Sequence, residues 1–386
     1  MKFRRLYPAE SRSIAELDLS RSPFPRSGHR LLATDDKIYL VGGYNPQVSG
    51  GGSGSILREI FCFNITTSKW EKLKPHQNNL PDELASHCSE LYKNYILIYG
   101  GSGYPFGQRN SNKLYCFNLK TNRFRLVNVE HGLHDPDVPE PGYGQATVLD
   151  GHNLYVVGGT SGFEYNCDIH KIDLQKSPLT WKRLASGNTL DLERYRHECV
   201  VFRGRLILFG GGKSDEARAL HVLDCFDLQL SEWISLNTKA DKRHGFPGAR
   251  RCPGLARRKN DVYICGGTSN NFIYDDVWKF NLETSRWQKL NLVLPRPVYF
   301  HSFDISPDGG MYVYGGVASK QGTSEVERLG ELYCFRLAPP SLKQLCSKNI
   351  FSWWADKSGG DTIFMDDIYG QFFEKYRKLF VLDTLD

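Results

Sequence analysis

Arginines and tyrosines recur in this chain next to short apolar runs, in clusters that suit anion binding. Arg194-Tyr195-Arg196-His197 and Arg250-Arg251-Cys252 each place two guanidiniums within three residues. Gly142-Tyr143-Gly144-Gln145 and Val298-Tyr299-Phe300-His301 place an aromatic hydroxyl at the matching position, and Arg26-Ser27-Gly28-His29 and Ser86-His87 look like further copies. Guanidinium forks take carboxylates in bidentate geometry, and tyrosines add rigid, amphipathic contact area. Gathered on one face, they would suit a short acidic peptide or the C-terminal carboxylate of a chain. Tyr104, Tyr165 and Arg218 lie in irregular stretches, from which a rigid scaffold commonly presents function. The candidate ligand contacts are therefore Arg194, Arg196, Arg218, Arg250, Arg251, Tyr104, Tyr143, Tyr165, Tyr299 and His301. A second use fits the same residue types: a histidine or arginine repeated in register can tie one unit to the backbone carbonyls of its neighbour, and His29, His87, His197 and His301 recur in that way.

The elements that must position these residues form a repeat. Paired glycines stand at Gly42-Gly43, Gly100-Gly101, Gly158-Gly159, Gly210-Gly211, Gly266-Gly267 and Gly315-Gly316, with first glycines 58, 58, 52, 56 and 49 residues apart. Each pair closes a continuous apolar run such as Ile96-Leu-Ile-Tyr or Leu206-Ile-Leu-Phe, as expected of strands buried on both faces. An alternating strand follows, then an aromatic: Trp70, Phe124, Trp181, Trp233 or Trp287. Another strand precedes each run, so the spacing predicts four strands in each of six units. Within such a unit, the loop leading into the first strand and the loop between the second and third fall at one end, where the arginine and tyrosine clusters would meet.

The paired glycines with a later tryptophan resemble the kelch repeat over residues 26–337. The resemblance implies an all-β, six-bladed β-propeller. The sixth unit runs from Glu331-Leu-Tyr-Cys-Phe-Arg-Leu into Ala338-Pro339-Pro340 and lacks its fourth strand. Phe3-Arg4-Arg5-Leu6 echoes Trp181-Lys182-Arg183-Leu184 and has the pattern to fill the vacancy, so residues 1–7 are expected to seal the ring and remove an open edge. A propeller over residues 1–337 and a tail over 338–386 follow. Residues 49–55, Ser-Gly-Gly-Gly-Ser-Gly-Ser, have the composition of an engineered, flexible linker and are set aside.

The totals narrow the function. The chain has 386 residues, 40% apolar and 24% charged, a globular balance. A net charge of +6 with dispersed basic residues argues against nucleic acid, and no apolar run is long enough for a membrane span. The ten cysteines include no Cys-x-x-Cys pair, which argues against zinc, and Cys62, Cys116 and Cys334, each between aromatics, read as small buried hydrophobes. No h-region follows the basic start, so cytoplasm or nucleus is expected. No nucleophile elbow, metal-spaced histidines or phosphate loop appears, so the reading is of a non-enzyme without cofactor or metal.

Ser341 to Ile350 carries apolar residues at helical spacing, with Ser341 placed to cap the start after the prolines. Met365 to Leu382 is a second helix candidate. Leu342, Leu345, Cys346 and Ile350 in the first resemble the elongin-binding box of cullin–elongin ubiquitin ligase receptors, a helix read by a groove. A kelch ring followed by such a box is similar to receptors of the cullin-2 class. That resemblance implies elongin B/C and cullin-2 as partners and a client's C-terminal degron, ending in alanine or glycine, as ligand. It also points to Arg218 as a carboxylate contact near the loop after a glycine pair. The family's cullin-2-selecting segment often contains a proline, and none follows Pro340. The alternative is a non-ligase scaffold that binds a signalling kinase or phosphatase through the same face.

Overall fold

A computed structural model describes residues 4–7, 22–76, 80–132, 135–186, 191–270, 272–339 and 345–346. The chain divides into a unit spanning Met1–Pro339 and a second, Pro340–Asp386. In the second, only Leu345 and Cys346 are described; both have helical backbone and are exposed. Leu342, Ile350 and the helix expected over Met365 to Leu382 lie outside the described residues.

In the first unit the β-rich runs assemble as six four-stranded antiparallel sheets. Sheet one contains Arg30–Ala33, Lys37–Val41, Ile60–Asn64 and Lys69–Leu73, and sheets two to five repeat this order. Sheet six contains Ser302–Ile305, Gly310–Tyr314, Leu332–Arg336 and, as its outer strand, Arg4–Tyr7, which pairs with Leu332–Arg336. Strands from the two ends of the propeller sequence thus share one sheet. Leu31 N–H donates to Ser302 Oγ and Ala33 N–H to Asp304 Oδ2, both at 2.7 Å, which joins the inner strands of sheets six and one. The ring is a six-bladed propeller.

The core lies between blades. Six hydrophobic clusters each draw on two neighbouring sheets, for example Tyr99 and Leu97 with Leu154 and Val156. The fourth-strand aromatics serve these seams. Trp70 lies 5.7 Å from Tyr314 of sheet six, Trp181 5.5 Å from Tyr99 of sheet two, and Trp287 6.1 Å from Phe209 of sheet four. Cys62, Cys116, Cys225 and Cys334 are buried on third strands, as small apolar fillers.

The paired glycines tie blade to blade. The second glycine of each pair donates its N–H to the lead-in loop of the next blade, at 2.8–3.0 Å: Gly43 to Leu84, Gly101 to Gly142, Gly159 to Arg194, Gly211 to Arg250, Gly267 to Val298 and Gly316 to Arg26. Gly101 shows why glycine is needed: its φ is +101°, and a Cβ there would stand 2.1 Å from the Glu83 carbonyl oxygen.

Residues 49–55, whose composition is that of a linker, lie in a loop of two 3-10 turns, Val48–Gly50 and Gly52–Ser55. Asn45 closes it, donating its N–H to the Ser55 carbonyl at 2.9 Å and its side-chain amide to the Pro25 carbonyl at 2.8 Å. Ile56 and Leu57 then return to the core.

Candidate ligand-binding mouth

Each lead-in loop contributes one residue with positive φ to the end of the central channel: Gly28 (+63°), Ser86 (+61°), Gly144 (+66°), Arg196 (+57°), Cys252 (+55°) and Phe300 (+55°). Their backbones form a circumferential chain. Gly28 N–H donates to Phe300, Ser86 to Gly28, Gly144 to Ser86, Arg196 to Gly144 and Cys252 to Arg196, at 2.7–3.0 Å. Four of the six are not glycine, and holding a side chain in this region costs roughly 1–3 kcal/mol each. The linked backbones offset that strain and fix where each side chain points.

Above the ring is a cavity of about 320 Å3. Tyr44, Tyr143, Tyr195, Tyr299, Phe106 and Phe300 form aromatic walls, and Arg196 and Arg328 supply the cations. The Arg196 guanidinium lies 4.5 Å from the Phe300 ring centre and donates to Ser86 Oγ. Arg328 lies 4.9 Å from the Tyr44 ring and donates to Ser27 Oγ at 3.1 Å. Neither pairs with a carboxylate among the described residues. Burial lowers both guanidinium pKa values from the ordinary arginine value. An incoming anion would supply the missing counter-charge.

Below the ring the channel's charged groups are paired or neutralised. Arg30 reaches from sheet one to Glu198 of sheet four at 2.6 Å, and Thr147 donates to Glu90 at 2.8 Å. Burial raises Glu90 to about 8 and Asp304 to about 7. Arg30, already paired with Glu198, leaves this throat no unpaired cation for a carboxylate, whereas the mouth offers two.

The candidates separate accordingly. Arg196, Tyr143 and Tyr299 meet in the mouth cavity. Arg251 lines an adjoining cleft with Tyr195, Tyr299 and Phe300, which are shared with the mouth. Tyr165 stands behind Tyr195, ring centres 5.3 Å apart. Tyr104 is exposed and lines neither space. Arg218 donates to the Asp191 carbonyl, away from both.

Arg194, Arg250 and His301 are corrections to the ligand set. Arg250 is fully buried and grips Asp276 at 2.7 and 3.2 Å while donating to the Gly266 and Gly248 carbonyls, each at 3.0 Å. Arg194 does the same with Asp224 and the Leu192 carbonyl, and Arg26 with Glu59, Gly42 and Phe24. These arginines lock a lead-in loop to its own blade. His301 is buried 3.5 Å from the Cys265 sulfur, where a Cβ on Gly266 would meet its ring at 2.7 Å, and burial lowers it to about 4. His29 is likewise an inter-blade tie, donating to the Tyr314 carbonyl at 3.1 Å. The sequence reading missed Arg328, which enters on a ribbon, Val317–Ser319 with Val326–Arg328, inserted after the sixth glycine pair. The alternation of Glu325-Val326-Glu327-Arg328 was its available signal. Among the described residues no group of three or more histidine, cysteine, aspartate or glutamate side chains could hold a metal ion, and no helix is long and apolar enough to cross a membrane.

Comparison with known proteins agrees with this architecture. The KLHDC2/KLHL20/DRC7 Kelch-repeats domain profile matches residues 86–316, and the Attractin/LZTR1 beta-propeller profile matches residues 5–166. The Rattus norvegicus protein named Kelch domain-containing protein 10 is 38% identical over 340 residues, spanning 86% of this chain and 80% of its own. This chain belongs to the kelch-repeat β-propeller family. The Homo sapiens protein of the same name is 38% identical over 340 residues, with 86% and 74% covered, and the Drosophila melanogaster homolog is 32% identical over 350 residues, with 84% and 57% covered. The two profiles describe a Kelch-repeats domain and a beta-propeller, and neither names a catalytic family.

Proposed function

We propose that this kelch ring is a substrate-recognition subunit of a cullin-RING ubiquitin ligase, and that its mouth binds the C-terminus of client polypeptides. The observation that carries the reading is the pair of guanidiniums, Arg196 and Arg328, held in an aromatic cup without carboxylate partners among the described residues. A terminal carboxylate is the polypeptide group best matched to two such forks. The backbone donors of the ring are largely consumed by the ring itself, which leaves recognition to side chains. A small terminal residue such as alanine or glycine is the preference that the resemblance to kelch receptors implies, and a larger side chain would be excluded by steric clash. The tail would dock elongin B/C through Leu342, Leu345, Cys346 and Ile350, with cullin-2 as the assembled cullin. The ring does no chemistry; it holds the client where a recruited enzyme can transfer ubiquitin.

Peptides with free and amidated C-termini test the mouth. Loss of the charge-assisted pairing is expected to weaken binding at least about tenfold, and equal affinity refutes a terminus reader. Recovery of elongin C by the full chain tests the tail: Leu342→Ala with Cys346→Ala should abolish it. Unchanged recovery would favour a scaffold that binds a signalling enzyme through the same face.

A further inference from the structure

A second space opens beside the mouth, between blades five and six. It has a volume of about 600 Å3 and shares Tyr195, Tyr299 and Phe300 with the first as a common wall. The two spaces therefore adjoin, so an extended chain whose end sits at Arg196 and Arg328 can cross this shared rim into the second. Its far wall contains Thr268, Ser269, Asn270, Phe272 and Ile273, and Phe272 is 66% exposed. Thr268 shapes that wall by donating to the Phe272 carbonyl at 2.9 Å.

The cation here is Arg251. Its Nη1 donates to the Lys213 carbonyl at 2.9 Å, which fixes the plane of the guanidinium, and it has no carboxylate partner among the described residues. It is half-buried. Its neighbour in sequence, Arg250, is wholly spent on Asp276. The charge of Arg251 thus faces a cleft that borders the mouth and has an exposed aromatic ring on its rim.

From this we infer that the cleft between blades five and six is an upstream subsite, which takes the residues just before the client's terminus and selects an acidic side chain there through Arg251. Phe272 covers the backbone of that segment. The inference rests on the reading of the mouth as a terminus binder, and it adds a preference that the mouth alone does not impose. An extended strand advances about 3.3 Å per residue, so the acidic position falls within the few residues before the last.

The test uses the full chain and fluorescent peptides of about ten residues ending in alanine, with aspartate, asparagine or lysine at each of the three positions before the last. At one position aspartate should bind about fivefold tighter than asparagine, in keeping with a partly exposed ion pair. Arg251→Gln should erase that difference and Arg251→Glu should reverse it in favour of lysine, with melting temperatures close to that of the parent. Phe272→Ala should weaken every peptide a few-fold without changing the aspartate preference. If aspartate and asparagine bind alike at all three positions while amidation still weakens binding, the subsite is refuted and the mouth reading stands. If free and amidated ends bind alike, the mouth reading fails and takes this inference with it.

Discussion

Arg250→Met separates the two roles open to an arginine in a lead-in loop. In the folded protein the guanidinium makes two bonds to Asp276, one to the Gly266 carbonyl and one to the Gly248 carbonyl, and lies 4.2 Å from the Tyr274 ring. Burial pushes the Asp276 carboxyl up, but Arg250 holds it below the usual aspartate range. Removing the arginine leaves a largely buried carboxylate with only Trp278 Nε1, 2.7 Å away, as a described side-chain donor. Breaking such a pair on one side costs about 3–5 kcal/mol. With roughly 2.1 cal/mol/K of unfolding entropy per residue over a propeller of roughly 300 residues, that lowers Tm by about 5–8 °C. Arg196→Gln serves as the contrast, because its guanidinium has no carboxylate to strand; its Tm should stay within about 2 °C while affinity for a free C-terminus falls. Calorimetry and peptide titration on both variants decide the matter. An Arg250→Met protein that melts like the parent but no longer binds peptide would show that Arg250 is a ligand contact and that the locking role is wrong.

The glycine ties predict a contrast within one residue type: Gly101→Ala places a Cβ 2.1 Å from a carbonyl oxygen and should cost several kcal/mol, whereas Gly151→Ala, at φ +59° with open space around it, should cost about 1–2 kcal/mol; similar denaturant midpoints would refute the packing argument. Stability should rise with pH between about 4 and 6.5, because burial lowers His87 to about 3 and His170 and His301 to about 4, so the unfolded chain takes up protons that the folded chain refuses. Glu90 at about 8 and Asp304 at about 7 oppose that rise, because from about pH 4 upward the unfolded chain releases protons that the folded chain keeps; once the histidines have titrated, this leaves a decline from about pH 6.5 to about 8. Glu90→Gln should flatten that alkaline decline in thermal melts from pH 6.5 to 8.5, and an unaltered slope would remove Glu90 as its source.

Repeats were legible in the sequence because backbone needs impose them. A tie that requires positive φ and no Cβ forces glycine six times over, and a strand covered by neighbours on both sides forces continuous apolar runs. The missing strand of the sixth unit was legible for the same reason, as a gap in a period. The mouth was legible only as a set of loops. Arg250 and Arg251 are adjacent and alike in type, yet one turns inward and the other outward. What distinguishes them is Asp276, placed on the third strand, and nothing in the lead-in loop itself shows that carboxylate. Recurrence across blades does show it, since Arg26, Arg194 and Arg250 each find an acid at Glu59, Asp224 and Asp276. Arg328 escaped because its ribbon interrupts the repeat, where periodicity says nothing.

Arg4–Tyr7 and its pairing partner Leu332–Arg336 stand at opposite ends of the propeller sequence. On a ribosome adding about 5–20 residues per second, the first of these strands emerges roughly 15–65 s before its mate. Through that interval five blades can form while the first strand waits unpaired for its mate. Birth order thus makes the clasp the last event in the assembly of the ring.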